Sequence, residues 1–185
     1  RVLEETGLAD DTVVIYSSDH GDNLGERGLW GKSNMYLEAS AVPMIMAGPD
    51  IPAGEINRTP VNLTDLHATF LDGMGVASLD DGHARPSASL LGMLGRSDQS
   101  RIVMSQYHAT GSPTGAFMVA DARLKYHYYV DYTPELFDLR FDPEEANNLA
   151  ADPQFEGQCN RLHDALVAHL GGRTPEQVDR MAKDD

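Results

Sequence analysis

The chain has 185 residues, of which 41% are apolar and 23% are charged, and its formal net charge is −15. This composition is typical of a globular protein of one domain or one large domain fragment. The acidic balance and the scattered Lys and Arg residues argue against nucleic acid as a partner, and no apolar run approaches the roughly 20 residues that cross a bilayer, which argues against a membrane.

The N-terminus and the cysteine content bear on cellular location. Residues Arg1 to Leu8 have helical spacing with Gly7 as a stop signal, and they lack both an initiator Met and the pattern of a signal peptide. We therefore expect these residues to be part of a longer protein. The single Cys159 excludes an internal disulfide framework, which suits a reducing compartment. A cytoplasmic location is expected, and a periplasmic one stays open.

The first predicted strand, Thr12 to Ser17, is a continuous run of β-branched and apolar residues. That pattern indicates a strand buried on both faces, as in the parallel sheet of an α/β protein. The strand is followed by Asp19 and His20, at the edge where open α/β sheets build their sites. A carboxylate beside an imidazole can bind a divalent cation there. The alternative is an ordinary turn in which Asp19 caps a helix and His20 lies in solvent.

The next segments complete a predicted α/β region over residues 1–77. They are a glycine-rich loop (Gly21 to Lys32), a short helical turn (Met35 to Ala39), a second buried strand (Val42 to Ala47) and an amphipathic helix (Val61 to Met74). The helix has apolar residues at helical spacing, candidate caps at Asn62 and Thr64, and Gly75 as its stop.

The remainder of the chain predicts a second, smaller subdomain. Residues 78–99 are rich in Gly, Pro and Ser, which indicates a flexible connector. Residues 100–185 contain four short runs separated by turns, which is typical of a small antiparallel sheet. These runs are Arg101 to Tyr107, Gly115 to Ala120, Leu124 to Val130 and Glu135 to Asp138. Helical spacing from Phe155 to Leu170 predicts a helix packed on that sheet.

A family resemblance begins at the block from Ser17 to Pro43. This block resembles the C-terminal signature of sulfatases and phosphonate monoester hydrolases, in which an Asp-(His/Asn)-Gly strand end precedes a Gly-Lys pair. The resemblance continues in the family's order at Val42-Pro-Met-Ile, at 64–72 and at 135–144. It implies the C-terminal portion of an alkaline-phosphatase-like α/β fold, with a small antiparallel sheet packed on a C-terminal helix.

The resemblance implies a role for three residues. Asp19 and His20 would bind the catalytic metal, and Lys32 would contact the sulfuryl oxygens and the charge that develops on them. The metal would be calcium, magnesium or manganese, and the substrate would be a small-molecule sulfate ester. His20 stands where many members of the family have Asn, and an imidazole nitrogen favours manganese over the harder cations. Outside this context, Lys32 is an ordinary exposed loop lysine.

His108 is a second candidate substrate ligand. It follows a predicted strand and precedes a Gly-Ser-Pro turn that can reach toward a cleft. The alternative is a structural histidine that is hydrogen-bonded within the protein, because buried polar groups generally find partners. The sequence supplies no second catalytic group beside it.

The nucleophile of the family has no counterpart in these residues. In sulfatases a Cys or Ser within a Cys/Ser-x-Pro-x-Arg motif becomes formylglycine, and that motif is absent here. Cys159 lies within the predicted terminal helix and is expected to pack as a small core residue. The sequence therefore favours an inactive part of a formylglycine-dependent sulfatase. Part of a phosphonate or phosphate ester hydrolase and a non-catalytic binding module stay open, and exposed strand edges predict a homo-oligomer.

Overall fold

A computed structural model of the chain describes residues 1–76, 86–109 and 112–184. The helices in these ranges are α1 (Val2–Thr6), α2 (Leu37–Ser40), α3 (Asp65–Gly73), α4 (Glu156–His169) and α5 (Pro175–Asp184). The strands are β1 (Val14–Ser17), β2 (Met44–Ala47), β3 (Val103–Tyr107), β4 (Ala116–Ala120), β5 (Leu124–Tyr129) and β6 (Glu135–Asp138). No helix in the described ranges has the length and apolar character that a bilayer crossing requires.

The chain divides into two compact units. The first comprises Arg1–Asp19 and Val42–Asp98, and the second comprises His20–Ala41 and Gln99–Asp185. The loop that contains His20 and Lys32 therefore belongs to the same unit as the C-terminal sheet. The division predicted at 78–99 stays a prediction, and residues 78–85 of that connector lie outside the described part of the chain.

The first unit contains a two-stranded sheet. β1 and β2 pair in antiparallel register, with Val14 opposite Ala47 and Tyr16 opposite Ile45. The prediction of parallel strands is wrong for this pair, which is antiparallel. The predicted burial on both faces is not seen in this chain, where Tyr16 is 63% and Ile45 60% exposed. A continuous apolar run indicates that both faces of a strand can be buried, but it does not indicate whether the neighbouring strand runs parallel or antiparallel.

Helix α3 confirms the predicted amphipathic helix with narrower bounds, but its N-terminus is fixed differently. Thr64 makes no side-chain cap. Instead the buried carboxylate of Asp65 accepts hydrogen bonds from Asn62 N and Ala88 N, both at 2.9 Å. Thr69 Oγ1 accepts a further bond from Leu90 N at 2.9 Å. These side chains tie the segment near Leu90 to the helix.

The second unit is built on a four-stranded antiparallel sheet, as the sequence predicted, and the order of its strands is β3-β4-β5-β6. Phe117 and Val119 point from β4 to the face that is covered by Leu162 and Leu166 of α4, and all four are fully buried. Each such burial contributes about 1.5–3 kcal/mol. The neighbouring residues Ala116 and Met118 face the other way and pack against Met35. The sheet is thus covered on one face by α4 and on the other by the segment around Met35.

Helix α5 is not among the elements that the sequence predicts, although its start has a clear signal. Thr174 Oγ1 accepts from Gln177 N at 3.3 Å, and Gln177 Oε1 accepts from Thr174 N at 2.9 Å. This is a capping box, and Pro175 occupies the first helical position, where its missing N–H costs nothing. Gly171 and Gly172 are both in the left-handed conformation and end α4. Two consecutive glycines usually indicate a loop, so the sequence does not suggest that a helix follows.

Candidate active site

The two candidate metal ligands lie just beyond the end of β1. Asp19 is exposed and is the last residue of the first unit before the chain enters the second, which begins at His20. Ser18 Oγ donates to Asp19 Oδ1 at 3.4 Å. The strand-end position predicted for both residues is confirmed, while their role as ligands stays a prediction.

The tautomer of His20 follows from its hydrogen bonds. Its Nδ1 lies 2.7 Å from Gly21 O, and a carbonyl oxygen only accepts, so Nδ1 carries the hydrogen. In the neutral ring the lone pair is then on Nε2. This is the nitrogen atom through which the ring would coordinate a metal.

Lys32 meets His20 at that atom. Lys32 Nζ donates a hydrogen bond to His20 Nε2, which requires a neutral imidazole because an ammonium has donors and no acceptor. The predicted cationic residue and the predicted metal ligand are therefore in direct contact, although twelve positions separate them in the sequence. Lys32 is exposed, so a substrate can reach its remaining donors.

The loop between His20 and Lys32 is held by Asn23. This residue is fully buried, and its backbone N and side-chain Nδ2 both donate to Gly31 O, at 2.9 and 2.5 Å. Gly31 has a φ of 78°, which a residue without Cβ adopts at no steric cost. Asn23 thus fixes the residue immediately before Lys32, and the sequence pattern gave no sign of this function.

A set of long-range contacts anchors the same loop to the C-terminal part of the unit. Arg27 Nη1 donates to Glu145 O at 2.9 Å, its Nη2 contacts Glu144 O, and the guanidinium lies 4.3 Å from the centre of the Tyr36 ring. Glu145 Oε2 in turn accepts from Leu37 N at 2.7 Å. Arg27 and Glu145 are 118 positions apart, so no local pattern could have identified this pairing.

Beneath this anchor lies a group of buried ionisable side chains. Lys125 Nζ is 2.7 Å from Glu145 Oε1, and burial lowers the pKa of Lys125 although the Glu145 carboxylate opposes the shift. His127 Nδ1 donates to Glu135 Oε2 at 3.1 Å, and burial likewise lowers the pKa of His127. Burial and a hydrogen bond to Glu135 raise the pKa of Tyr36 to about 12. These residues support the loop from within the unit.

His108 lies at the end of β3, close to the residue that follows Lys32. Tyr107 Oη and Ser33 Oγ are 3.0 Å apart, so the neighbours of His108 and Lys32 touch. Among the described residues neither ring nitrogen of His108 has a hydrogen-bond partner, and its interpretation as a structural residue stays a prediction. Its predicted contact with substrate stays a prediction.

The residues fit part of a metal site. An imidazole nitrogen and a carboxylate oxygen together suit a borderline cation such as manganese, and the Nδ1–H of His20 is oriented by a carbonyl, as in many metal-binding histidines. Within residues 1–76, 86–109 and 112–184, however, no group of three or more His, Cys, Asp or Glu side chains is close enough to hold an ion. Asp19 and His20 would therefore need further ligands.

Comparison with known proteins identifies the relatives of this chain. Residues 1–76 match the family model for sulfatases. A choline-sulfatase of Rhizobium meliloti (strain 1021) is 35% identical over 152 residues, which are 82% of this chain and 30% of that protein. The chain is a relative of the sulfatases. The resemblance seen in the block from Ser17 to Pro43 is thereby confirmed.

Two solved structures are similar to this sulfatase relative over most of its length. The phosphonate monoester hydrolase of Silicibacter pomeroyi matches with a TM-score of 0.77 and 27% identity, over 94% of this chain and 37% of that one. A protein solved in complex with its substrate D-glucosamine-2-N,6-O-disulfate matches with a TM-score of 0.78 and 26% identity, over 99% of this chain and 37% of that one. The predicted fold class is confirmed, and this chain spans about a third of the length of these relatives.

Proposed function

We propose that the chain supplies part of the active site of a metal-dependent sulfatase-type hydrolase that cleaves sulfate monoesters. The observation that carries the proposal is the contact between Lys32 Nζ and His20 Nε2, directly after Asp19, in a relative of the sulfatases. An ammonium, an imidazole and a carboxylate are groups that metal-assisted attack on a sulfate ester can use, and a cation bound at His20 Nε2 would displace the Lys32 ammonium from that lone pair.

Each of these residues has a distinct role in the proposal. Asp19 and His20 would hold a divalent cation, with manganese preferred over calcium or magnesium because of the imidazole nitrogen. When bound, the cation would polarise a sulfuryl oxygen as a Lewis acid. Lys32 would hold its positive charge against the sulfuryl and leaving oxygens, whose negative charge increases in the transition state, so it would accelerate cleavage as well as bind.

In this proposal the nucleophile would come from residues other than these 185. No Cys/Ser-x-Pro-x-Arg motif is present in the sequence, so formylglycine would belong to a longer parent enzyme. We therefore expect the 185-residue chain alone to hydrolyse no aryl sulfate. Aryl sulfate turnover by the purified chain that Lys32→Ala abolishes and Arg140→Ala leaves unchanged would contradict this assignment.

Hydrolysis of a phosphonate or phosphate ester is the second candidate function. The match to a phosphonate monoester hydrolase favours it, and a metal with a nearby ammonium serves phosphoryl oxygens equally well. The parent enzyme should be assayed with p-nitrophenyl sulfate and p-nitrophenyl phenylphosphonate. The sulfatase proposal predicts the higher kcat/KM for the sulfate ester. A higher value for the phosphonate supports the second candidate, and turnover of neither favours a non-catalytic binding module.

A further inference from the structure

Lys32 lies on a part of the site loop that one residue fixes on both sides. Glu145 is fully buried. Its backbone carbonyl accepts a hydrogen bond from Arg27 Nη1 at 2.9 Å, and its carboxylate Oε2 accepts one from Leu37 N at 2.7 Å. Lys32 stands halfway between Arg27 and Leu37 in the sequence. Glu145 therefore constrains the chain both before and after the candidate cationic residue.

Helix α2 transmits the contact at Leu37 to His20. Leu37 is the first residue of α2, and Ala39 O in the same helix accepts a hydrogen bond from Gly21 N at 2.9 Å. Gly21 also lies so close to the helix that an added Cβ would overlap Glu38 O. Because Gly21 follows His20 directly, a displacement of α2 would displace His20 as well.

The position of α2 depends in turn on the sheet. With four residues the helix is too short to be stable alone, and the N–H groups of its first turn have no partner within it. Glu145 supplies a partner for one of them, at Leu37. At the other end of the helix Lys125 Nζ donates to Ser40 Oγ at 3.1 Å. Since Lys125 also lies 2.7 Å from Glu145 Oε1, the buried pair contacts both ends of α2.

The two oxygens of the Glu145 carboxylate have separate partners. Oε1 faces Lys125, which neutralises the charge, and Oε2 faces Leu37 N. A charged acceptor binds a backbone N–H more strongly than a neutral one does. Rotation of the carboxylate would break one contact or the other, so these two partners fix its position and, with it, the start of α2.

We propose that Glu145 is a positioning residue of the candidate active site, whose carboxylate keeps His20 in contact with Lys32 by holding Leu37 N and thereby α2. In taking the contact between Lys32 Nζ and His20 Nε2 as part of the site, this role rests on the proposed function. Without an acceptor for Leu37 N the start of α2 would move toward water, Gly21 would follow the helix, and His20 would leave Lys32.

Two double variants separate the hydrogen bond from the charge. Lys125→Met with Glu145→Gln removes the ion pair but keeps a side-chain oxygen that can accept from Leu37 N. Lys125→Met with Glu145→Leu removes both the ion pair and the acceptor, at similar side-chain size. The contact of the residue 145 carbonyl with Arg27 uses the backbone and is open to both variants. They therefore differ mainly in the contact at Leu37 N.

Both variants are compared with the wild type by NMR at about pH 8, where an ordinary imidazole is neutral. One signal is the nuclear Overhauser effect (NOE) between the His20 ring protons and the Lys32 side chain, which reports folded molecules only. The other is hydrogen exchange of the Gly21 amide. We expect the NOE to persist with Glu145→Gln and to be lost with Glu145→Leu. Exchange at Gly21 should be at least about tenfold faster with Glu145→Leu than with Glu145→Gln, and exchange in β4 should differ less.

A purely structural role of Glu145 would lower stability without changing where His20 lies, and exchange would then accelerate as much in β4 as at Gly21. That result would overturn the inference. An NOE that persists with Glu145→Leu, or that is lost equally with Glu145→Gln, would overturn it too. Glu145→Asp alone keeps the charge near Lys125 and withdraws the carboxylate from Leu37 N. It should therefore weaken the NOE as well, and it replaces Glu145→Leu if that variant does not fold.

The parent enzyme provides a second readout with the ester that it hydrolyses. Because the charge of Lys32 would act on the transition state, kcat with Glu145→Leu should be at least about tenfold lower than with Glu145→Gln, both combined with Lys125→Met, and KM should differ by less than about threefold. Equal kcat values would overturn the positioning role. A parent that hydrolyses neither ester would contradict the proposed function, and the NMR comparison on the chain would still decide whether Glu145 positions His20.

Discussion

Lys125 and Glu145 form an ion pair in the interior of the second unit, with 2.7 Å between Nζ and Oε1 and side chains that are 3% and 0% exposed. The Glu145 carboxylate also accepts a hydrogen bond from Leu37 N, and its backbone carbonyl accepts one from Arg27 Nη1. The pair therefore connects the sheet to the loop that contains His20 and Lys32. Removal of one partner from such a pair leaves the other charge buried and uncompensated in a medium of low dielectric constant.

Lys125→Met is therefore expected to lower the free energy of unfolding by about 3–5 kcal/mol, as measured by urea denaturation. Lys125→Met combined with Glu145→Gln should be more stable than Lys125→Met alone, because the uncompensated charge is gone. Arg140→Met, at an exposed arginine, should change stability by less than about 0.5 kcal/mol. A loss for Lys125→Met no larger than that of the control would show that the pair contributes nothing.

The buried His127 predicts how stability depends on pH. Burial lowers its pKa from the ordinary value of 6.5, and the hydrogen bond with Glu135 opposes that shift without reversing it. Just below pH 6.5 the unfolded chain therefore binds more protons at this residue than the folded chain does. Above this pH His127 is uncharged in both states and does not make the free energy of unfolding depend on pH. As the pH falls below it, the protein loses stability.

Urea midpoints measured from about pH 8 to about pH 5 should show this loss. His127→Gln should flatten the decline, although it lowers stability at every pH, because Gln does not titrate. His67→Gln, at an exposed histidine, should leave the slope unchanged. An identical slope in the wild type and His127→Gln would exclude His127 as its source.

Gly21 is a steric requirement of the site loop. Its backbone N donates to Ala39 O at 2.9 Å, and an added Cβ would overlap Glu38 O. Gly21→Ala should therefore cost about 1–3 kcal/mol or more in unfolding free energy and displace His20 next to it. Gly157→Ala in α4 meets no atom within 4 Å and should be neutral or stabilising. Equal stability of the two variants would contradict the steric argument.

The β1–β2 sheet is expected to mediate self-association of the chain. Tyr16 and Ile45 are cross-strand partners and both are mostly exposed, and a two-stranded sheet with open edges recruits further strands. Sedimentation should detect dimers or larger species that Ile45→Lys reduces. Phe141→Lys, at a 77% exposed residue of the other unit, is the control. A monomer at high protein concentration would refute the expectation.

The elements that the sequence predicted correctly are those governed by local pattern. The alternation and turns between Arg101 and Asp138 predicted β3 to β6, and spacing from Phe155 to Leu170 predicted α4, because burial of one face imposes these periods. The capping box at Thr174 is an equally local signal, and it marks the start of α5. The direction of β2 beside β1 depends on partners distant in sequence, so an apolar run alone could not specify it.

The residues of the candidate site also fall into those that a local pattern predicts and those that it does not. Asp19, His20 and Lys32 were found from a short motif, and the structure brings His20 and Lys32 into contact. The residues that hold them, Arg27 and Glu145, are joined across most of the chain. Side chains of opposite charge can pair at any separation in sequence, so their partnership appears only once the fold has brought them together.

Paramagnetic broadening by manganese(II), recorded by NMR on the isotope-labelled chain, can show whether Asp19 and His20 bind a metal, because the ion broadens signals from the residues that bind it. We predict that the signals of Asp19 and His20 fade first, before those near the other carboxylates of this chain of net charge −15. Asp19→Asn with His20→Asn should abolish this early broadening. Lys32→Ala should shift it to lower manganese concentrations than Arg140→Ala does, because Lys32 no longer occupies Nε2 or repels the cation. Broadening that begins elsewhere, or that the double substitution leaves unchanged, would contradict a metal site at Asp19 and His20.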